Sequence, residues 1–153
     1  MPIAMVNMIT PDTQVNVACF GMDAGFQGGR RTSFCGRTIL TDEPLIINDA
    51  LLDERFKDNP NVIEGLRVRA YAGIPLRAVD GTHPGALCLI DIGPRVFTTK
   101  EIDLLKDLAA WAEIELNSTQ LREATEALTT ARDDLNEPTP SNCSWHLPVA
   151  NHC

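Results

Sequence analysis

Five cysteines, at positions 19, 35, 88, 143 and 153, are the side chains in this chain best suited to chemistry. No two of them form a CxxC pair, the spacing that tunes a thiol for redox exchange or supplies half of a zinc site. Cys19, Cys35 and Cys88 stand among apolar neighbours, where a free thiol behaves as a small hydrophobe. Cys143, His146, His152 and Cys153 put four metal-ligating side chains within eleven residues. Zinc sites hold paired ligands on a tight turn with outer support, and adjacent His152-Cys153 in a proline-rich stretch predicts none, so no metal is assigned. Ser33, His83 and Asp91 are the residue types of a nucleophilic triad, yet no spacing assembles them. Arg30 and Arg31, near Arg37, flank a glycine loop and are expected to be solvated rather than to bind an anion.

The elements that must position these groups centre on Arg69–Asp91. Two apolar runs, Arg69–Val79 and Gly85–Ile92, flank Asp80-Gly81-Thr82-His83-Pro84, and Asp-Gly is a strong turn signal. In the first run Ala70, Ala72, Ile74, Leu76 and Ala78 share one face of a strand, and Tyr71, Gly73, Pro75, Arg77 and Val79 share the other. The second run is apolar at both parities until Asp91, the pattern of a central strand covered on both sides. Leu76, Leu87, Leu89 and Ile90 are therefore expected to be nearly inaccessible. Pro75 removes a ladder donor and predicts a bulge or a local edge.

Upstream, Ile3–Ile9 and Gln14–Phe20 read as a hairpin turning at Thr10-Pro11-Asp12-Thr13. Gly21–Gly29, with four glycines, reads as a mobile loop. Thr32 or Ser33 caps a short helix reaching Leu40, with Phe34, Ile39 and Leu40 turned inward. Leu45–Ile47 reads as a strand, Asn48-Asp49 caps a short helix over Ala50–Phe56, and Asn59-Pro60 opens another. Downstream, Thr98-Thr99-Lys100-Glu101 matches a capping box, with Phe97 and Ile102 placed as a hydrophobic staple. Nothing breaks the helix before Leu135. Ile102, Leu105, Leu108, Ala109 and Ala112 form a face for packing on a sheet. Ile114, Leu121, Leu128 and Leu135 then recur every seven residues, a seam for pairing with a second helix. Beyond Glu137 the prolines predict a disordered tail.

Composition narrows the function. A net charge of −8 and a pI near 4.7 argue against nucleic acid, whose phosphates need clustered Lys and Arg. No segment approaches the roughly 18 apolar residues that span a bilayer, so no membrane partner is expected. The odd cysteine count and the lack of a signal peptide favour a cytoplasmic location.

With the elements in place, the chain resembles a GAF domain, the small-molecule-sensing module of signalling proteins, most like those attached to bacterial histidine kinases and diguanylate cyclases. The resemblance spans about Pro2 to Leu116. It rests on Ser33-Phe34-Cys35, on Leu45-Ile46-Ile47-Asn48-Asp49 with Asp53-Glu54-Arg55-Phe56, on Asn59-Pro60, on Tyr71-Ala72-Gly73-Ile74-Pro75-Leu76, and on Gly85-Ala86-Leu87-Cys88-Leu89-Ile90-Asp91. It implies an α+β fold, with a central antiparallel sheet, helices on its faces and a long C-terminal helix. It also implies a ligand pocket between the sheet and the segments 31–40 and 48–65. Phe34, Cys35, Asp49, Phe56, Tyr71, Cys88 and Asp91 are the pocket residues expected on that basis. The family's usual first helix and an output domain are expected to be missing.

The ligand stays unnamed, and so does any cofactor. The Asn-Lys…Phe…Asp-Glu signature of cyclic-nucleotide GAF domains is not found. Val17-Ala18-Cys19-Phe20 only approaches a bilin-attachment context, and His83 on a hairpin loop is poorly placed for haem. Phe34-Cys35-Gly36 resembles part of the motif of free methionine-(R)-sulfoxide reductases, but 53–65, where that family's nucleophile falls, holds no cysteine. The expected organisation is a sensor domain over 1–116, a helical extension over 117–136 that dimerises as a coiled coil through Ile114, Leu121, Leu128 and Leu135, and a tail over 137–153. The expected function is non-catalytic sensing of a small molecule. A thiol-based redox sensor or reductase-like enzyme, and a dimerisation module with a vestigial pocket, are the alternatives.

Overall fold

The hairpin at the middle of the chain forms as its pattern dictates. Strand β5 (Ala70–Leu76) pairs antiparallel with β6 (Gly85–Asp91) in unbroken register, from Ala70 opposite Asp91 to Leu76 opposite Gly85. The computed structural model describes residues 2–136 except Ala24. The other strands are β1 (Ile3–Ile9), β2 (Thr13–Phe20), β3 (Gln27–Gly29) and β4 (Leu45–Ile47). The helices are α1 (Phe34–Thr38), α2 (Pro60–Ile63) and α3 (Thr99–Asn136). The sheet runs β3-β2-β1-β6-β5-β4, every neighbouring pair antiparallel. The chain divides into two compact units, 1–118 and 119–153, so the whole sheet lies in the first.

Local signals account for most boundaries. Ser33 caps α1 by accepting the Gly36 amide at 2.9 Å, and Asn59 caps α2 by accepting the Asn61 amide at 2.9 Å. The capping box closes as expected: the Thr98 amide donates to Glu101 Oε2 at 2.8 Å, and the Glu101 amide donates to Thr98 Oγ1 at 3.3 Å. Pro75 makes no bulge. It stands past the last β4 pair, Leu45 opposite Gly73, where a missing N–H costs nothing. The one register shift of β1 and β2 lies at Val6/Asn7, where Val17 is the extra residue.

Several expectations change. Gln27–Gly29 is an edge strand rather than loop, paired with Thr13–Val15 of β2. Ala50–Phe56 forms turns, not a helix, because the Asp49 and Asp53 carboxylates accept the amides two residues on, Leu51 and Arg55, and such local bonds compete with helical ones. Leu40 is 64% exposed because α1 ends at Thr38.

Each sheet face has its own core. Ala70, Ala72, Ile74 and Leu76 pack under Phe97, Leu105 and Ala109, with Ile102 and Ala112 at the margin. Leu108 lies one residue off that stripe and is 49% exposed. Leu87 and Leu89 are half-buried rather than inaccessible, since the buried positions of α3, Leu105 and Ala109, belong to the core centred on β5. On the opposite face Met5, Ile47, Tyr71, Ala86, Cys88 and Ile90 meet Phe34, Cys35, Ala50, Phe56, Val62 and Val68 from α1, α2 and the connecting turns. In the second unit, residues 119–136 continue α3, and Leu121, Leu128 and Leu135 are exposed, as is Ile114 in the first. No helix among the described residues is long and apolar enough to cross a membrane.

Candidate functional site

The face under α1 collects the polar groups of the core. Asn7, Gln14, Asn16, Ser33 and Thr38 are all buried. A buried polar group without a partner costs roughly 1–3 kcal/mol, and most of these are bonded. The Val17 bulge sets Asn16 opposite Asn7, and Asn16 Nδ2 donates to Asn7 Oδ1 at 3.2 Å. Asn7 Nδ2 in turn reaches Cys35 Sγ at 3.3 Å and Cys88 Sγ at 3.7 Å. The Ser33 hydroxyl donates to Gln14 Oε1. Asn16 Oδ1 is left without a partner.

At the centre, two thiols meet. Cys35 Sγ, on α1, is 3.5 Å from Cys88 Sγ, on β6. The Tyr71 hydroxyl donates to Cys35 Sγ at 3.3 Å and lies 2.6 Å from Thr38 Oγ1. The contact with Cys88, then the bonds donated by Tyr71 and Asn7, hold the Cys35 thiol below its ordinary pKa against the opposing effect of burial. Cys88 is pushed well above its ordinary value by its contact with Cys35 and by burial. Burial, with the charge of Cys35, pushes the Tyr71 phenol well up. Gly73 makes this cluster possible. A Cβ there would sit 2.2 Å from the Tyr71 hydroxyl oxygen, so only glycine lets the ring lie along β5.

Aromatic rings roof the cluster. Phe34 stacks on Phe56 with centroids 4.4 Å apart and tilts against Tyr71 at 5.0 Å. The Arg55 and Arg37 guanidiniums lie 5.6 and 6.0 Å from the Phe56 centroid. Between roof and sheet remains a cavity of about 30 Å³, lined by Gln14, Ser33, Cys35, Asn61 and Tyr71 among apolar groups that include Phe26, Phe34 and Leu66. That is room for a water, well short of the roughly 300 Å³ of a small-molecule site.

Of the expected pocket residues, Phe34, Cys35 and Tyr71 line the cavity, and Phe56 and Cys88 lie directly behind them. Asp49 does not reach it. Its carboxylate grips Arg69 at 2.9 and 2.7 Å and is held below the usual carboxylate range first by that bond. Asp91 belongs to the wrong face. The β5–β6 register sends Ala86, Cys88 and Ile90 toward α1 and Leu87, Leu89 and Asp91 the other way, where Asp91 Oδ2 lies 3.9 Å from Arg95. A strand apolar at both parities gave no means of assigning its faces. Ser33, His83 and Asp91 are not assembled: Ser33 binds Gln14, and His83 Nε2 lies 3.0 Å from Asp42. Asn7, Gln14, Asn16 and Asn61 were missed. The first three had a signal, polar residues at core-facing positions of two otherwise apolar strands. Cys143, His146, His152 and Cys153 lie outside the described residues.

A six-stranded antiparallel sheet with a polar site under a short helix on one face and a long C-terminal helix on the other is a sensor-type α+β domain. The GAF domain family model matches residues 3–116, and the chain belongs to that family of regulatory sensing domains. It is 43% identical over 94 residues to a cyclic di-GMP phosphodiesterase of Pseudomonas aeruginosa, a match covering 61% of this chain and 16% of that protein. The chain thus spans a small fraction of that relative's length. Among solved structures it resembles the GAF domain of a phosphoenolpyruvate-protein phosphotransferase from Coxiella burnetii, at a TM-score of 0.64 and 20% identity over 80% of this chain and 75% of that one. It also resembles the blue-light absorbing form of the Thermosynechococcus elongatus PixJ GAF domain, at 0.63 and 19% over 82% and 79%.

Proposed function

We propose that this GAF domain is a non-catalytic, cytoplasmic sensor whose small-molecule site is the polar cavity beneath α1, and that α3 carries its state outward through a homodimer. The observation behind the reading is the convergence of Gln14, Ser33, Asn61, Cys35 and Tyr71 on one cavity of an otherwise apolar core. Packing alone would not select buried polar groups there. At about 30 Å³ the cavity is too small for a larger ligand, which binds by shifting the domain toward a state in which Phe26, 40% exposed, and Leu66 move apart. On α3, Leu121, Leu128 and Leu135 are 66, 72 and 87% exposed. Burying each against a second copy contributes about 1.5–3 kcal/mol before ordering costs. Asn117 is engaged within the domain, its Nδ2 donating to the Arg77 carbonyl at 3.2 Å.

Native mass spectrometry of freshly purified protein tests both halves. A dimer carrying a small adduct that leaves on denaturation is expected, and Leu121→Glu with Leu128→Glu gives a folded monomer by light scattering. A monomer at high micromolar concentration would refute the dimer. The small cavity favours one second reading, a dimerisation module with a vestigial pocket, for which the dimer would appear without adduct and no compound would raise the melting temperature.

A further inference from the structure

We infer that Cys35 and Cys88 form a peroxide-reactive dithiol that closes to a disulfide in the folded domain. The 53 positions between them in sequence hide a pair that the fold brings to 3.5 Å. A disulfide needs about 2.05 Å, so the two sulfurs must close by about 1.5 Å. The two sulfurs are not equivalent. Cys35 Sγ lines the cavity, whereas Cys88 lies behind it on β6 and is not part of the lining. Tyr71 and Asn7 both aim donors at Cys35 Sγ, an arrangement that favours the thiolate there. Cys35 is therefore the attacking thiol and Cys88 the resolving one.

The cavity selects the oxidant. Its volume of about 30 Å³ accepts hydrogen peroxide and excludes an aryl hydroperoxide. The Cys35 thiolate attacks one peroxide oxygen, the O–O bond breaks, and hydroxide leaves, giving a sulfenic acid. Cys88 then attacks that sulfur and expels the oxygen, which leaves as water with the Cys88 proton. Overall, two thiols and one hydrogen peroxide become one disulfide and two waters. A dithiol reductant reverses the change. The inference uses the cavity assigned above, but it needs no bound ligand and no dimer, and it stands or falls separately from them.

The test uses the full chain with Cys19→Ser, Cys143→Ser and Cys153→Ser, which leaves only the two thiols of interest. Hydrogen peroxide should remove both free thiols, lower the intact mass by two hydrogens and yield a Cys35–Cys88 linked peptide, all reversed by dithiothreitol. Adding Cys88→Ala should instead leave a sulfenic acid on Cys35 that dimedone traps. Cumene hydroperoxide should react at least an order of magnitude more slowly with folded protein, and at a rate similar to hydrogen peroxide's in urea. The inference is overturned if the folded protein keeps both thiols under peroxide, if linkage appears only in urea, or if dimedone labels Cys88 in Cys35→Ala faster than Cys35 in Cys88→Ala. An adduct seen by native mass spectrometry alongside unreactive thiols would leave the sensor reading intact and end this one.

Discussion

The two faces of the sheet share strands and differ in almost everything else. Toward α3, β5 presents Ala70, Ala72, Ile74 and Leu76 to Leu105 and Ala109, an apolar contact with no buried polar side chain in its cluster. Toward α1, the intervening residue Tyr71 and its neighbours meet two thiols, three amides and two hydroxyls. One face is built like a core made for stability, where area removed from water is the main term. The other accepts polar desolvation that a plain core would avoid. The two faces thus separate an apolar packing surface from a polar cluster around a cavity.

Five substitutions probe that separation. The largest effect belongs to the α3 face. Leu76 is 1% exposed, and Leu76→Ala should cost about 2–5 kcal/mol, with Leu89→Ala costing less because that residue is half-buried. Equal urea midpoints for the two would break the asymmetry. Next, Gly73→Ala should cost about 1–3 kcal/mol through overpacking. Since Tyr71 is the only tyrosine of the chain, its ring resonances report the displacement, and unchanged resonances would contradict the contact.

The third probe is pH. Burial raises the Tyr71 phenol well above its ordinary value, so the folded protein keeps that proton longer than the unfolded chain does. Its contribution is fully present below the unfolded value of about 10 and is lost as pH rises toward the folded one. Stability should fall above that pH by up to about 1.4 kcal/mol per unit, and Tyr71→Phe should remove this component. An identical alkaline profile for the substituted protein would show that the phenol is not shielded. Smallest is Thr98→Ala at the start of α3, which should cost about 1 kcal/mol through its lost cap while leaving the Tyr71 resonances in place. A shift there would mean that the two faces are coupled.

Much of this architecture was legible in local pattern. Apolar runs found β1, β2, β4 and β6, alternation found β5, turn residues found the hairpins, and Ser33, Asn59 and Thr98 marked three helix starts, because caps and periods act between residues a few positions apart. Edge strand β3 carried no such mark, since Gln27-Gly28-Gly29 has poor strand propensity and forms by pairing with β2. The GAF resemblance pointed to the space between the sheet and segments 31–40 and 48–65, and Phe34, Cys35 and Tyr71 line a cavity there.

What the amino-acid order determined alone was most of the elements, the net negative charge and the leucine seam of α3, all properties of neighbouring residues or of simple sums. Tertiary structure decided the site. The bulge at Val17 put Asn16 beside Asn7, the β5–β6 register turned Asp91 away and Cys88 inward, and α1 brought Cys35 to within 3.5 Å of it. Those contacts depend on strand register and on which face a helix covers. A one-residue slip reverses both, and no pattern within a single strand that is apolar at both parities could specify them.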